Sequence, residues 1–342
     1  MIGVAIIGYG YWGPNLARNF AETDGCRVVA IVDADPAALA RAGKRHPQAR
    51  LLTDWREALA DPEVDAMAIA TPVRSHFEIA HAALLAGRHV LVEKPMTESS
   101  AQGRILIETA AQHGLTLMVD HTFIYASAVQ KMKELVASGD LGQVYYYDST
   151  RINLGLFQRD VNVIWDLAVH DLSIVQHVLD SPPVAISANG VSHVPGTPEN
   201  MAQISLYLES GAVANLNVNW LAPVKVRRVL VGGSRKMIVW DDLEPSEKIK
   251  VYDRGVDLTS DPAEIYERLV SYRIGDMWAP KLATTEPILT ETAHFIDCIE
   301  RGTSPITDGR LGLQVVEMLE AASRSMTLRG HPVELGARRR AS

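Results

Sequence analysis

A glycine turn set between two apolar runs constrains this chain more than any other feature. Residues 4–8 read VAIIG, a short apolar run that stops at a glycine, as a strand buried in a parallel sheet does. Gly8-Tyr9-Gly10-Tyr11-Trp12-Gly13 comes next, then PNLARNFAET, with Pro14 suited to a first helical turn. A second apolar run, RVVAIVD (27–33), ends in Asp33, twenty residues after Gly13. Strand, glycine turn, helix, strand, acid is the pattern of a dinucleotide-binding unit. The glycines let the backbone approach a pyrophosphate, and the helix N-terminus stabilises its charge. Gly8, Gly10, Tyr11, Trp12 and Gly13 are therefore expected at the cofactor. Asp33 can accept hydrogen bonds from both ribose hydroxyls and would repel a 2′-phosphate. Asp35 adds to that repulsion, and no Arg immediately follows Asp33, so the pattern favours NAD over NADP.

The alternation continues. DAMAIATPV (65–73) reads as a strand ending at Thr71-Pro72. SHFEIAHAALLAG (75–87) reads as a helix with Ser75 as N-cap and Gly87 at its end. HVLVEKP (89–95) and LTLMVDH (115–121) are further strands. Such alternation implies a parallel sheet covered on both faces, with ligands beyond the carboxyl ends of its strands. That position nominates Thr71, Lys94 and His121, and Pro72, His76 and Glu93 are also expected at the cofactor. Within Glu93-Lys94-Pro95, the proline restricts Lys94 toward an extended backbone and so fixes where its side chain points. A lysine there can hydrogen-bond a substrate hydroxyl.

At 342 residues the chain exceeds one ordinary core, so two domains are expected, 1–121 and 122–342. A formal net charge of -8 argues against a life on nucleic acid or anionic membrane. Cys26 and Cys298 are the only cysteines and form neither a disulfide framework nor a metal cluster, which fits a reducing compartment. MIGVAIIGYG carries no basic n-region, and no run is long enough to span a bilayer, so a cytoplasmic location is expected.

After His121 the pattern changes. SAVQKMKELVASG (127–139) reads as an amphipathic helix and GQVYYYDSTRIN (142–153) as a long strand. WDLAVHDLSIVQHVLD (165–180) reads as a second helix. Six strand-like runs between VAISANGVSHV and KIKVYD are joined by short turns such as Glu209-Ser210-Gly211, the pattern of an antiparallel sheet. On helix 165–180, Ala168, Leu172, Val175 and Leu179 share one face, the expected buried stripe. Asp166, His170, Ser173 and His177 line nearly the opposite side. Short polar groups and two imidazoles suit a cleft, and an Asp and a His four apart can orient one another. A solvated helix face is the plainer alternative.

With Gly8-Tyr9-Gly10, Glu93-Lys94-Pro95 and Asp166-x-x-x-His170 together, the chain resembles the glucose–fructose oxidoreductase, inositol 2-dehydrogenase and rhizopine-catabolism (MocA-type) family over nearly all its length. The C-terminal EPILTETAHFIDCIERGTSPITDGRLGLQVVEMLEAA is similar to that family's closing helices. The resemblance implies an α/β protein: an N-terminal Rossmann domain with a doubly wound parallel sheet, then an α/β domain with an open, mainly antiparallel sheet. It implies a lysine, an aspartate and a histidine around a sugar or polyol carbinol, which by match are Lys94, Asp166 and His170. His170 would take the hydroxyl proton, Asp166 would hold the imidazole, and Lys94 would stabilise the developing alkoxide, with no metal. Where members often show an aromatic-Arg pair followed by Pro, this chain has Ile124 and Ser127, so His121 and Tyr125 are expected to shape the site instead. The run TRINLGLFQRDVNVIWDLAVHDLS is closer to members acting on nucleotide-linked sugars, where C3 of the hexose is often oxidised. It nominates Arg151, Asn153, Arg159 and Trp165 as substrate contacts, with a charged strand end and loop as the alternative.

Three functions follow: an NAD-dependent dehydrogenase of a nucleotide sugar, a dehydrogenase of a free polyol such as an inositol, and a non-catalytic NAD-binding regulator. Intact Lys94, Asp166 and His170 argue against the last. Asn215, Asn217 and Asn219 alternate with Leu216, Val218 and Trp220, which predicts a flat, uncharged polar face for homo-oligomer packing.

Overall fold

The computed structural model describes residues 1–155, 161–257 and 271–336. Arg159 and the GARRR tail beyond Gly336 lie outside the described residues. Six strands form the first sheet: β1 (Ile2–Ile7), β2 (Cys26–Val32), β3 (Arg50–Leu52), β4 (Ala66–Ile69), β5 (His89–Glu93) and β6 (Leu117–Asp120). Their order is β3-β2-β1-β4-β5-β6, and every neighbouring pair is parallel. Strand order reverses beside β1, the place where a doubly wound sheet opens a crevice for a ligand. Helices α1 (Gly13–Glu22), α2 (Pro36–Arg45), α3 (Trp55–Ala60), α4 (Val73–Leu85) and α5 (Ser100–His113) make the crossovers. Ser75 is not the cap of α4. The helix starts at Val73 behind Pro72, and Ser75 Oγ turns back to Thr71 Oγ1 and the Pro72 carbonyl, both at 2.8 Å.

The second sheet has nine strands: β7 (Val144–Leu154), β8 (Pro183–Val191), β9 (Met201–Leu208), β10 (Val213–Asn219), β11 (Leu221–Gly233), β12 (Met237–Asp241), β13 (Ile249–Asp257), β14 (Ser271–Trp278) and β15 (Val333–Glu334). It is antiparallel except where β10 runs parallel to β7. Helices α6 (Ser127–Ala137) and α7 (Val169–Leu179) belong with it. The expected regular helix over 165–180 begins differently: an i→i+5 turn, Ile164–Ala168, precedes α7.

Two closing helices follow, α8 (Pro287–Arg301) and α9 (Gly309–Thr327). Contacts divide the chain into Met1–Ala126 with Thr285–Glu317, and Ser127–Thr284 with Met318–Ser342. This differs from the boundary expected at 121/122, because α8 packs into the first core. Phe295 meets Phe20 of α1 edge-on, centroids 6.1 Å apart, and both are fully buried. Thr292 and Thr23 hydroxyls lie 2.8 Å apart beside them. Each buried Phe contributes about 1.5–3 kcal/mol, enough to fix α8 in place.

Candidate active site

The glycine turn is built as its spacing requires. Gly8 adopts φ +95°, and a Cβ there would lie 2.8 Å from the Ala70 carbonyl. At Gly13 a Cβ would strike the Gly8 carbonyl, so only glycine lets α1 start this close to β1. A Cβ at Gly10 would meet no protein atom. That glycine is not needed for packing, and its open side is a cradle that a pyrophosphate fits. No side chain caps α1, so its N-terminal end faces that cradle with its backbone charge uncompensated. Asp33 Oδ2 accepts the Tyr9 N–H at 2.6 Å and Oδ1 accepts the Asp35 N–H at 2.8 Å. Its carboxylate is thereby aimed, with lone pairs left for ribose hydroxyls. Tyr11 is exposed and stacks on Trp12, whose indole N–H is committed to Asp120 Oδ2 at 2.9 Å.

At the ends of β4, β5 and β6 the predicted residues have distinct fates. Thr71 and Lys94 are half-buried and Pro72 is exposed. His76, expected as a cofactor neighbour, is buried: Nδ1 faces the Pro95 carbonyl at 2.9 Å and Nε2 faces the Thr71 carbonyl at 2.7 Å. The Lys94 N–H donates to Glu93 Oε2 at 3.1 Å. His121 is buried, neither ring nitrogen has a hydrogen-bond partner among the described residues, and burial pushes its pKa down to about 4. It is a neutral imidazole.

Beneath them lies a carboxyl cluster that the sequence reading missed. Glu93, Asp120 and Glu291 of α8 are all buried. Glu93 Oε1 and both Glu291 oxygens have no hydrogen-bond partner among the described residues. Asp120 lies close enough to both Glu93 and Glu291 to disfavour their charged forms. Burial, then the charge of Asp120, raises the pKa of both well above the usual carboxylate range. Asp120 in turn accepts from Trp12 Nε1 and from the Thr122 N–H and hydroxyl. One signal for Glu291 existed: it occupies the apolar stripe of α8 with Ile288, Thr292 and Phe295.

In the second unit, Asp166 and His170 are half-buried at the start of the helical segment, and Asp166 Oδ2 accepts the Trp220 indole N–H at 3.0 Å. An i→i+5 turn under such residues is a frequent mark of a functional position. The rest of the expected polar face is a correction. Ser173 and His177 are buried, and His177 Nε2 lies 3.2 Å from Gln130 Nε2 of α6, because α7 is covered on both sides. Arg151 is also corrected as a substrate contact. It points inward with Tyr147 and Ser149, and its Nε binds Asp171 Oδ2 at 2.6 Å in a buried pair. Tyr125 is buried too, its hydroxyl 3.2 Å from Thr307 Oγ1, so it does not line a cleft. Asn153 is half-buried, and half-buried Trp165 donates Nε1–H to Ser323 Oγ at 3.0 Å.

The glycine cradle, the aimed Asp33 and the lysine ending β5 define an NAD-dependent oxidoreductase built on a Rossmann unit. Residues 2–121 match the oxidoreductase family with an NAD-binding Rossmann fold, and residues 129–239 match the GFO/IDH/MocA C-terminal domain. The chain is 30% identical over 264 residues to an uncharacterized oxidoreductase of Escherichia coli, covering 72% of this chain and 73% of the relative. It belongs to the Gfo/Idh/MocA oxidoreductase family. It is also 28% identical over 320 residues to the UDP-N-acetylglucosamine 3-dehydrogenase of Acidithiobacillus ferrooxidans, covering 91% and 93% of the two chains. A solved structure of that enzyme superposes with TM-score 0.77 at 26% identity, covering 96% and 98%. Among the described residues no helix is long and apolar enough to cross a membrane.

Proposed function

We propose that the protein oxidises a secondary hydroxyl of a sugar, C3 of a nucleotide-linked hexose being the position that fits best. The likeness over nine-tenths of both chains to a UDP-N-acetylglucosamine 3-dehydrogenase carries this reading. NAD, when bound, supplies the two-electron acceptor. The glycine turn would hold its diphosphate and Asp33 its ribose. His170 takes the hydroxyl proton as neutral imidazole, the usual acceptor near pH 7. Asp166, itself held by Trp220, orients that ring. Lys94, just past the end of β5, supplies an ammonium that can stabilise negative charge developing on a substrate oxygen.

The protein acts in the cytoplasm, where the free, buried Cys26 and Cys298 remain reduced. It assembles with itself through the outer face of the second sheet. That face is not the uncharged surface expected from Asn215, Asn217 and Asn219. Asp148, Arg228 and Arg254 line a depression of about 650 Å³ on it, and Asn215 Nδ2–H donates to Asp148 at 2.9 Å.

The test is NADH absorbance with a panel of UDP-hexoses, free hexoses and inositols. Turnover is expected with a UDP-hexose and lost with its 3-deoxy analogue. Faster turnover of a free inositol would replace the nucleotide sugar with the polyol reading.

A further inference from the structure

Two backbone carbonyls at the ends of neighbouring parallel strands are spanned by one side chain. The Thr71 carbonyl lies just past β4, and the Pro95 carbonyl lies just past β5. Beyond a sheet's edge such groups lose their ladder partners, and buried ones need another donor. His76 stands between them, 1% exposed, with Nε2 2.7 Å from one and Nδ1 2.9 Å from the other. A planar ring has no internal freedom, so two contacts on opposite edges set the spacing of the two strand ends. A neutral imidazole has one N–H, so it donates to one carbonyl, and the second contact is kept by packing. Burial, the largest influence, favours that neutral form and outweighs the backbone contacts, which act the other way.

Lys94 is one residue from the clamped carbonyl. On its other side its own N–H is held by Glu93 Oε2 at 3.1 Å. The peptide carrying the lysine is thus fixed from two directions, by Glu93 ahead of it and by His76 behind it. We propose that His76 is a positioning residue that fixes Lys94 for its work on the substrate oxygen, through the Pro95 carbonyl. It touches neither substrate nor reacting atoms. Displacement of a reacting group by about 1 Å is enough to lose roughly 10²-fold in rate, so a loosened strand end would be felt in turnover.

The proposal rests on the reading of Lys94 as a group that meets substrate only for its effect on rate. Its structural half is tested without substrate. The lysines are reductively ¹³C-methylated, and the Lys94 resonance is assigned by its loss in Lys94→Arg. In the wild type it is expected sharp and displaced from the solvent-exposed lysines. In His76→Phe, which keeps a ring and removes both contacts, it should move to the exposed position and broaden. His76→Gln, which keeps an N–H donor, should hold most of the wild-type position. Ile79→Val, a small core cavity in the same helix, should leave it unmoved. With a turned-over UDP-hexose, His76→Phe should lower kcat at least about tenfold while NADH affinity stays nearly unchanged. A Lys94 resonance indifferent to His76→Phe overturns the proposal, as does His76→Gln behaving like Phe. If no sugar turns over, the resonance still decides it. Should His76→Phe not fold, His76→Leu, which also removes both contacts, takes its place, and a Lys94 resonance indifferent to it overturns the proposal.

Discussion

At the residue scale, His170 and Lys94 stand for two ways a motif becomes chemistry. His170 is recognisable because Asp166 precedes it by four residues, and that aspartate is held by Trp220, from the bend between β10 and β11. His170→Ala should lower kcat roughly 10²–10⁴-fold, the usual loss for a general base. NAD affinity, set by the glycine turn and Asp33, should stay nearly constant. Asp166→Asn should be milder, since it alters only the ring's orientation. Turnover measured beside NAD affinity by calorimetry separates these effects, and a near wild-type rate for His170→Ala would return that face to ordinary surface. Arg151 shows the opposite lesson. Its charge suggested a ligand, but the two-residue period of β7 puts it inward beside Tyr147 and Ser149, where Asp171 awaits it. Breaking that buried pair should cost about 3–5 kcal/mol, a stability effect and not a catalytic one.

At the element scale, α8 brings Glu291 onto the ends of β5 and β6, where Glu93 and Asp120 already lie. A glutamate whose folded pKa is raised is most favourable to folding below its unfolded pKa, about 4.3, and becomes a liability as pH rises toward the folded value. The same sign holds for Glu93, and the neighbouring charges, Asp120 and Lys94, oppose each other in setting Glu93. Over that window each pH unit removes about 1.4 kcal/mol per such group until the folded value is reached. Glu291→Gln keeps an N–H donor for Asp120 and has no proton to hold. Its Tm should therefore gain on the wild type as pH rises from about 5, until the folded value of Glu291 is reached, read by thermal unfolding without cofactor. A difference in Tm that does not change with pH would show that Glu291 folds as a carboxylate. The helix α7 was read less well than α8 for a related reason. Amphipathic periodicity separates apolar from polar, but α7 is covered on both sides, so its polar residues are buried with partners of their own.

At the scale of the whole molecule, the outer face of the second sheet predicts assembly. Asn217→Lys puts a charge beside Thr150 on that face and leaves the inward Leu216 and Val218 untouched. Wild type is expected to sediment as an oligomer at micromolar concentration and Asn217→Lys to shift toward monomer; a monomeric wild type would remove the interface. The alternating strands and helices of the first unit and the glycine turn were legible in the chain, because each depends on contacts within a few residues or on a period of two or of about 3.6, whereas Lys94, Asp166 and His170 were nominated together by the family resemblance. Only tertiary structure decided that α8 returns to the first core, that it brings Glu291 to Glu93 and Asp120, and that Arg151, Tyr125 and His177 turn inward. Those outcomes depend on which distant group stands opposite. Burial and a partner set a side chain's protonation and direction, and neither is written in the local run of residues around it.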